Sequence, residues 1–515
     1  MRPGKALRTT IAFLAVAFSV VFTAQECSQS DRDFIYDFLS SYVLDATLTG
    51  KAGADDVKNA MDVKDAYNRV TAQQNYDRAN QLKAKGDKQG ALEALNEAIR
   101  LDPNAPQDFY RNRAELLHDM GNDAAAVEDY DKALTAAEKR APKSPYVIEL
   151  YQERARSRNA SGDYQGAVDD LNYVIRNSNR GEDPELLAQR AAAKQNLGDT
   201  SGAKDDLDRA VAAKPNDPGI LQQRAEINRA QGRTQEAISD YDKAMQNVSG
   251  PTFKDAKKID ELAIKKSQLQ ADKGDYRAAA ASMDAAQKAY EERNLKPPSD
   301  LFMTKGDFLR AAAAGTNDPN AQAAARDQAI AAYSGAIDGG RTAALGSRAE
   351  TLNDKAMTTQ NPTERNNLLG RAYQDADQHV KAFPENPYGP IERGKATFAA
   401  NYFSASPSAS TYADAIKDFR TAADRAGNST NSAYWGEQSN SRLGDASFNR
   451  GLLTGSRADY ERARDGFQAA IRYNPNNPNY HEGLAQTSDK LGERELASAA
   501  RGRADQLRRQ GRPPA

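Results

Sequence analysis

The sequence predicts an all-α fold built from repeated helical hairpins, and three observations lead to that prediction. The chain has 515 residues, several times the length of a single compact domain of about 100–200 residues. Aromatic residues make up only 7% of it and charged residues 28%, a balance typical of solvated helices that bury small side chains. A short pattern of a glycine, a small residue and an acid beside an apolar residue recurs along the chain. Such internal repetition is the signature of a repeat array.

The first 24 residues predict an export signal. Basic residues precede an apolar run from Ile11 to Ala24, which is the layout of a secretory signal peptide. The run is shorter than the roughly 20 residues that span a membrane. We expect cleavage after Ala24, and the alternative is an uncleaved anchor in the inner membrane. The single cysteine, Cys27, rules out an intrachain disulfide framework and favours a bacterial periplasm over an animal secretory route.

Residues 25–74 are predicted to form a helical capping region. Within them, residues 31–44 read DRDFIYDFLSSYVL and place their large apolar side chains on one face of a helix. A stack of repeats exposes an apolar surface at its first unit and needs a cap to cover it. The alternative for this segment is a docking helix for a partner.

The repeats themselves are marked by five glycines spaced 34–41 residues apart. They are Gly86, Gly121, Gly162, Gly198 and Gly232. An alanine stands seven residues before and five residues after each of them, within apolar stripes of helical spacing. Glycine ends a helix by adopting the left-handed conformation, and the Asp or Asn that follows several of them suits a helix cap. Each repeat is therefore predicted to be a helix, a tight turn and a second helix.

The segment ANQLKAKGDKQGALEALNEAIRLDPN (79–104) resembles the tetratricopeptide repeat, a helical hairpin of 34 residues, at its small, apolar and proline positions. The resemblance implies a right-handed α-α superhelical solenoid. It covers residues 75–250 as five regular repeats. It continues through residues 251–505 as about five or six degenerate repeats with inserted loops. The predicted core positions of these repeats include Ala279, Tyr333, Ala422 and Phe467.

Three insertions interrupt the degenerate repeats. Because they contain turn-forming or small polar residues, we expect loops at 311–325, 353–366 and 399–412. The arginine-rich end of the chain, residues 506–515, is predicted to be a disordered basic tail.

An arginine precedes the first-helix alanine in four repeats, and an aspartate follows it sixteen residues later. A hairpin brings such positions together, so we expect a charge pair between the two helices of each repeat. The predicted pairs are Arg113–Asp129, Arg154–Asp170, Arg190–Asp206 and Arg224–Asp240. We expect them to be partly exposed and to contribute about 0–1 kcal/mol each.

The sequence contains no pattern that indicates catalysis or metal binding. Its three histidines, His118, His379 and His481, lie in different repeats, and no glycine loop is suited to cradle a phosphate. The formal net charge of −2 excludes a global basic field for nucleic acid. We therefore expect no catalytic residues, no metal, no cofactor and no nucleic-acid partner. Membrane contact is expected only if the N-terminal segment remains as an anchor.

The resemblance also implies that the first helix of each repeat lines a concave groove. Polar residues on these helices differ from repeat to repeat, which is expected of a scaffold adapted to a ligand, although plain solvation explains them as well. The candidate groove residues are Arg111, Glu115, His118, Gln152, Arg156, Asn159, Gln222, Glu226 and Arg229. Their mixed charges and amides suit a protein or peptide partner. The predicted function is a non-enzymatic protein-binding scaffold of the cell envelope, and the alternative is a structural or self-assembling component without a peptide ligand.

Overall fold

The computed structural model of the protein describes residues 54–178, 182–248 and 250–510, and every regular element in these ranges is a helix. The all-α prediction is thus confirmed. The predicted signal segment and the first part of the predicted cap, through residue 53, lie outside the described residues. The chain divides into two compact units between Gly232 and Arg233.

The first unit contains nine helices within its described residues. They are α1 (Ala54–Ala84), α2 (Lys88–Leu101), α3 (Gln107–Asp119), α4 (Asp123–Arg140), α5 (Pro145–Ser161), α6 (Tyr164–Asn177), α7 (Pro184–Asn196), α8 (Thr200–Ala213) and α9 (Pro218–Ala230). Helices α1 to α8 pack in four successive hairpins, and each hairpin packs against the next.

Helix α1 is longer than the repeat pattern predicts. It begins at Ala54 and continues without a break to Ala84, where the first predicted turn follows. Tyr67 and Ala72, which precede the predicted start of the first repeat at residue 75, are buried. The described part of the predicted cap is therefore the beginning of the first hairpin's own helix.

The turn inside each hairpin follows from local chemistry. Gly162, which ends α5, has φ +91°, a backbone conformation that L side chains rarely adopt. Asp163 then caps α6, because its carboxylate accepts a hydrogen bond from the backbone N–H of Gly166 at 3.0 Å. The other four predicted glycines also have positive φ, between +71° and +84°. The helix–turn–helix prediction is confirmed.

The hairpin core consists of the residues that the repeat pattern marks. In the third hairpin, Ala155 on α5 and Ala167 on α6 are at most 1% exposed, and the two helices pack against each other. Leu171 fills the space beside them and is 2% exposed. Small side chains permit the close approach, and the larger apolar residue restores the packing density of a protein interior.

The second unit contains thirteen helices within its described residues. They are α10 (Thr234–Asn247), α11 (Phe253–Asp272), α12 (Tyr276–Glu291), α13 (Ser299–Ala314), α14 (Pro319–Asp338), α15 (Ala344–Thr358), α16 (Pro362–Ala382), α17 (Tyr388–Tyr402), α18 (Ala409–Ala426), α19 (Ser432–Thr454), α20 (Arg457–Tyr473), α21 (Pro478–Leu491) and α22 (Arg494–Gln510). From α11 onward they form six hairpins. The downstream core residues predicted from the repeat phase, such as Ala279, Tyr333 and Ala422, are fully buried.

The three insertions expected to be loops are mostly helical, so that prediction was wrong. Residues 311–325 extend α13 and α14 and leave only residues 315–318 between them. The other two insertions likewise lengthen helices α15 to α18. The first insertion is rich in alanine, the strongest helix former, and short runs of turn-forming residues suffice for the connections. The last helix similarly continues to Gln510, past the point at which the basic tail was expected to begin.

Candidate partner-binding surface

Three of the four predicted arginine–aspartate pairs lie within the first unit, and all three are present. In each, the guanidinium donates two parallel hydrogen bonds to the carboxylate, with N–O distances of 2.6–2.9 Å. They are Arg113–Asp129, Arg154–Asp170 and Arg190–Asp206. The fourth predicted pair, Arg224–Asp240, has one residue in each unit and stays a prediction.

The aspartates of these pairs are more buried than the sequence suggests. The side chain of Asp129 is 3% exposed and that of Arg113 is 17% exposed. The predicted contribution of about 0–1 kcal/mol applies to solvated pairs, whereas these aspartates are buried, so the net contribution of each pair stays a prediction. Removing one partner of a buried pair leaves an uncompensated charge and costs several kcal/mol.

Each arginine also reaches the preceding hairpin, a contact that the sequence did not predict. The remaining guanidinium nitrogen of Arg113, Nη1, donates to the side-chain oxygen of Asn96 on α2 at 2.9 Å. Arg154 and Arg190 make the equivalent contact with the preceding second helix. One side chain therefore fixes both the geometry inside its hairpin and the register between neighbouring hairpins.

The second unit repeats this arrangement at a different sequence spacing. Arg348 binds Asp375 and the hydroxyl of Ser334, and Arg393 binds Asp418 and Asp377. The arginine and its buried aspartate are 27 and 25 residues apart instead of 16, because the helices of these hairpins are longer. A search at fixed spacing misses them. The arginines are committed to structural contacts and do not form a ligand-binding ladder.

The nine candidate groove residues all lie on first helices, namely α3, α5 and α9. Successive first helices contact one another directly in the first unit, where α3 touches α5 and α7 touches α9. The candidates therefore belong to one side of the stack. Their individual environments differ.

Arg111 joins two hairpins. Its guanidinium forms ion pairs with Glu153 at 2.7 Å and Glu149 at 2.8 Å, both on α5, and lies 5.3 Å from the centre of the Tyr146 ring. Although burial opposes the charge, these two carboxylates raise the pKa of Arg111 above its ordinary value. With a side chain only 23% exposed, Arg111 acts as a bridge between repeats.

The other candidates in α3 are also engaged with nearby side chains. Glu115 forms an ion pair with Lys83 of α1 at 2.7 Å, and the His118 ring contacts the carboxylate of Asp123 at the start of α4. These contacts do not decide whether the two residues line a groove, so that assignment stays a prediction.

The candidates in α5 and α9 are more accessible. Arg156 and Arg229 are exposed, and Arg229 forms only a surface ion pair with Glu226 at 3.1 Å. Asn159 accepts a hydrogen bond from Asn196 at 3.3 Å. Gln152 and Gln222 are partly buried. Arg156 and Arg229 are therefore the candidates best able to meet a partner.

A second polar surface, which the sequence did not reveal, lies on the first helices of the second unit. The hydroxyl of Tyr388 donates to Glu350 at 2.5 Å, and the same carboxylate contacts Arg310. Trp435 packs beside Tyr388 with 5.3 Å between ring centres, and Tyr434 packs on Trp435 at 4.8 Å.

We call Glu350, Asp354, Tyr388, Tyr434 and Trp435 the aromatic–acidic surface. It spans α15, α17 and α19, and these successive first helices are in contact. Asp354 follows Glu350 by one helical turn and is exposed. The single tryptophan of the chain was the one sequence feature that could have pointed to this surface. The residues that surround it are distant in sequence, so the pattern did not reveal them.

Burial governs the electrostatics beneath this surface. Glu392 is 1% exposed and is held by Lys395 at 2.8 Å and by the Asn353 amide at 3.0 Å. Burial raises the pKa of the Glu392 carboxyl, and Lys395 opposes that shift. Burial also raises the pKa of the Tyr388 hydroxyl far above its usual value, so this hydroxyl remains a hydrogen-bond donor to Glu350.

The described residues contain no cluster of three or more His, Cys, Asp or Glu side chains placed to hold a metal ion. Within the same ranges, no helix combines the length and the apolar character needed to cross a membrane.

Comparison with known proteins identifies the repeats. The family model of the tetratricopeptide repeat matches residues 64–259. These residues span helices α1 to α10 and the start of α11. Residues 64–259 thus match the tetratricopeptide repeat family. Proteins of this family generally mediate protein–protein interactions and are generally non-enzymatic.

Individual relatives resemble only part of the chain. A tetratricopeptide repeat and J domain-containing co-chaperone of Cryptococcus neoformans is 31% identical over 108 residues, which are 21% of this chain and 19% of that protein. The chain thus matches about a fifth of the length of this relative.

Solved structures include a tetratricopeptide repeat protein from Parabacteroides merdae, at 18% identity and a TM-score of 0.36, which covers 53% of this chain and 94% of its own. The C-terminal part of a repeat protein from Cytophaga hutchinsonii has 17% identity and a TM-score of 0.39, and covers 55% and 98%.

Proposed function

We propose that the protein is a non-enzymatic scaffold of the cell envelope whose first helices hold an extended segment of a partner protein. The observation that carries this proposal is the contrast between constant and variable positions. Ala114, Ala155 and Ala225 occupy the same buried position in α3, α5 and α9. The polar residues one helical turn after these alanines change in kind from repeat to repeat, and they are His118, Asn159 and Arg229. A constant core under a variable surface suits recognition of an irregular ligand.

The contacts between successive first helices support a groove on this side of the stack. Helices that approach one another more closely on one side lie on the inner side of a curved array, and repeat proteins use that surface for binding. Side chains with both donors and acceptors along it match the polar backbone of an extended peptide.

The test compares two double variants in capture of a partner from an envelope extract of the native host. Replacing Arg156→Ala and Arg229→Ala removes two accessible first-helix charges without touching Arg111, whose loss would also break the bridge to α5. The matched control replaces Arg140→Ala and Arg176→Ala, which are exposed at the ends of second helices.

We expect the first pair to weaken capture of a defined partner at unchanged helical circular dichroism, and the control pair to leave it intact. Equal capture by both double variants would refute the first-helix assignment. Recovery of only the protein itself would favour a self-assembling component over a scaffold.

We also propose that the chain is exported and that the mature form begins near Gln25. The support is the basic start and apolar run of residues 1–24. Intact mass of the protein from its native host gives the mature terminus. Full-length mass in an envelope fraction would favour the retained anchor, and full-length mass in the cytoplasm would contradict export.

A further inference from the structure

We propose that the aromatic–acidic surface of the second unit binds the cationic side chain of a partner, a lysine or an arginine presented by an extended segment. This inference rests on the proposed scaffold function and specifies what one part of it recognises. It adds a site in the second unit, whereas the groove residues that the sequence predicts belong to the first unit.

The charges on the surface are unevenly matched, and the unmatched one is acidic. Glu350 contacts Arg310, and the buried Glu392 is paired with Lys395 at 2.8 Å. Asp354 differs, since no cationic nitrogen in the described ranges lies within 4.0 Å of its carboxylate. Its carboxylate is therefore available to a cation from outside the chain.

Neighbouring groups make Asp354 favour such a cation. Although Asp354 is exposed to solvent on one side, desolvation by the surrounding protein raises the pKa of its carboxyl. Lys395, Arg326 and Arg310 oppose this shift, and Glu350 adds to it by repulsion. An incoming positive charge would relieve both the desolvation and the repulsion. An anion would meet two carboxylates, while the basic groups Lys395 and Arg310 are already paired with Glu392 and Glu350. Arg326, the third basic group near Asp354, donates a hydrogen bond to the Thr358 hydroxyl at 3.1 Å.

Aromatic rings complete the site. Trp435 packs at a tilt beside Tyr388, whose hydroxyl donates to Glu350, and the Glu350 charge also acts on the Tyr434 hydroxyl. Glu350 and Asp354 are one turn apart on α15. Tyr434 packs edge-on against Trp435 and is 50% exposed. The faces of tryptophan and tyrosine attract cations, and the guanidinium group stacks on them well. Carboxylate and aromatic groups on adjacent helices therefore suit one cationic side chain.

The single tryptophan makes the site directly measurable. Trp435 is the only tryptophan of the chain, so its fluorescence reports on this surface in the full-length protein without a label. The probe is a capped pentapeptide with one arginine flanked by glycines. Its control carries citrulline, which keeps the size and hydrogen-bonding capacity of arginine but lacks the charge. A third peptide carries glutamate.

We expect saturable quenching or a spectral shift with the arginine peptide and binding at least about tenfold weaker with the citrulline peptide. Asp354→Asn should weaken binding of the arginine peptide by about tenfold. The matched variant Asp424→Asn, at an exposed position of α18, should leave it unchanged. Circular dichroism verifies that both variants keep their helical content.

Several results would overturn the proposal. They are equal binding of the arginine and citrulline peptides, tighter binding of the glutamate peptide, no response to any peptide, or an unaltered affinity in Asp354→Asn. Sedimentation velocity tests a second copy as the source of the cation. A dimer that the arginine peptide dissociates would assign the site to self-association and not to a partner.

The result of this titration can be separated from the test of the proposed function. It uses the second unit and a defined peptide, whereas the capture experiment uses substitutions in the first unit and the native partner. A negative titration with successful capture would reject only the cation site. A positive titration without capture would reject the first-helix groove of the first unit.

Discussion

Substitution of Asp129 tests whether the buried arginine pairs hold the hairpins together. Asp129→Asn keeps the shape of the side chain but removes its charge, so Arg113 loses its carboxylate partner and keeps only the neutral Asn96 amide. Loss of one partner from a buried pair costs about 3–5 kcal/mol. Because the Arg113 side chain is 17% exposed and retains one hydrogen bond, we expect the lower end, about 3 kcal/mol.

The assay is native-state amide hydrogen exchange read out on peptides from α3 and α4. A single global unfolding free energy is poorly defined for a long repeat array, whereas exchange reports local opening. A loss of about 3 kcal/mol corresponds to exchange faster by about a hundredfold, since 1.4 kcal/mol is a factor of ten. Exchange in α21 and α22 serves as an internal reference.

The control is Glu128→Gln, which removes one negative charge from the neighbouring, exposed position of α4. An exposed charge contributes about 0–1 kcal/mol, so exchange should change by less than about fivefold. If Asp129→Asn and Glu128→Gln accelerate exchange in α3 and α4 equally, the buried pair stabilises the hairpin no more than an exposed charge does, and the reasoning from burial is refuted.

Two further predictions concern the second unit, and they use the local urea transition that Trp435 fluorescence reports there. Gly394→Ala should destabilise the second unit by about 1–3 kcal/mol, because its added methyl would lie 2.8 Å from the ring of Phe419. The control Gly370→Ala, with open space around it, should stabilise the helix by up to about 1 kcal/mol. Equal shifts of the urea midpoint in the two variants would contradict the packing argument. His379 is 3% exposed and burial lowers its pKa, so the unfolded chain binds the proton more tightly and stability should fall as the pH drops through the ordinary value of about 6.5. In His379→Leu the drop between pH 7.5 and 5 should be smaller than in the parent, and an identical drop would exclude His379 as its source.

The sequence predicted the parts of the fold that depend on nearby residues. A glycine with positive φ, a capping aspartate and alanines one or two turns away lie within a single hairpin, so their pattern survives in the linear sequence. The first-unit pairs, such as Arg113–Asp129, could be predicted for the same reason, since a hairpin of standard length fixes which positions meet. The repeat phase also marked core residues as far downstream as Phe467, which is 4% exposed.

Other features were settled only by the tertiary structure, because they depend on helix lengths and on contacts between repeats. Arg348 meets Asp375 across a longer hairpin, so no fixed spacing reveals the pair. Asp129 is buried because side chains of adjacent helices cover it, and the sequence does not indicate which acidic residues are covered in this way. The aromatic–acidic surface joins side chains from residue 350 to residue 435 on three helices. A pattern with a period of one repeat predicts the hairpin, but the surface that successive hairpins build together is decided by their stacking.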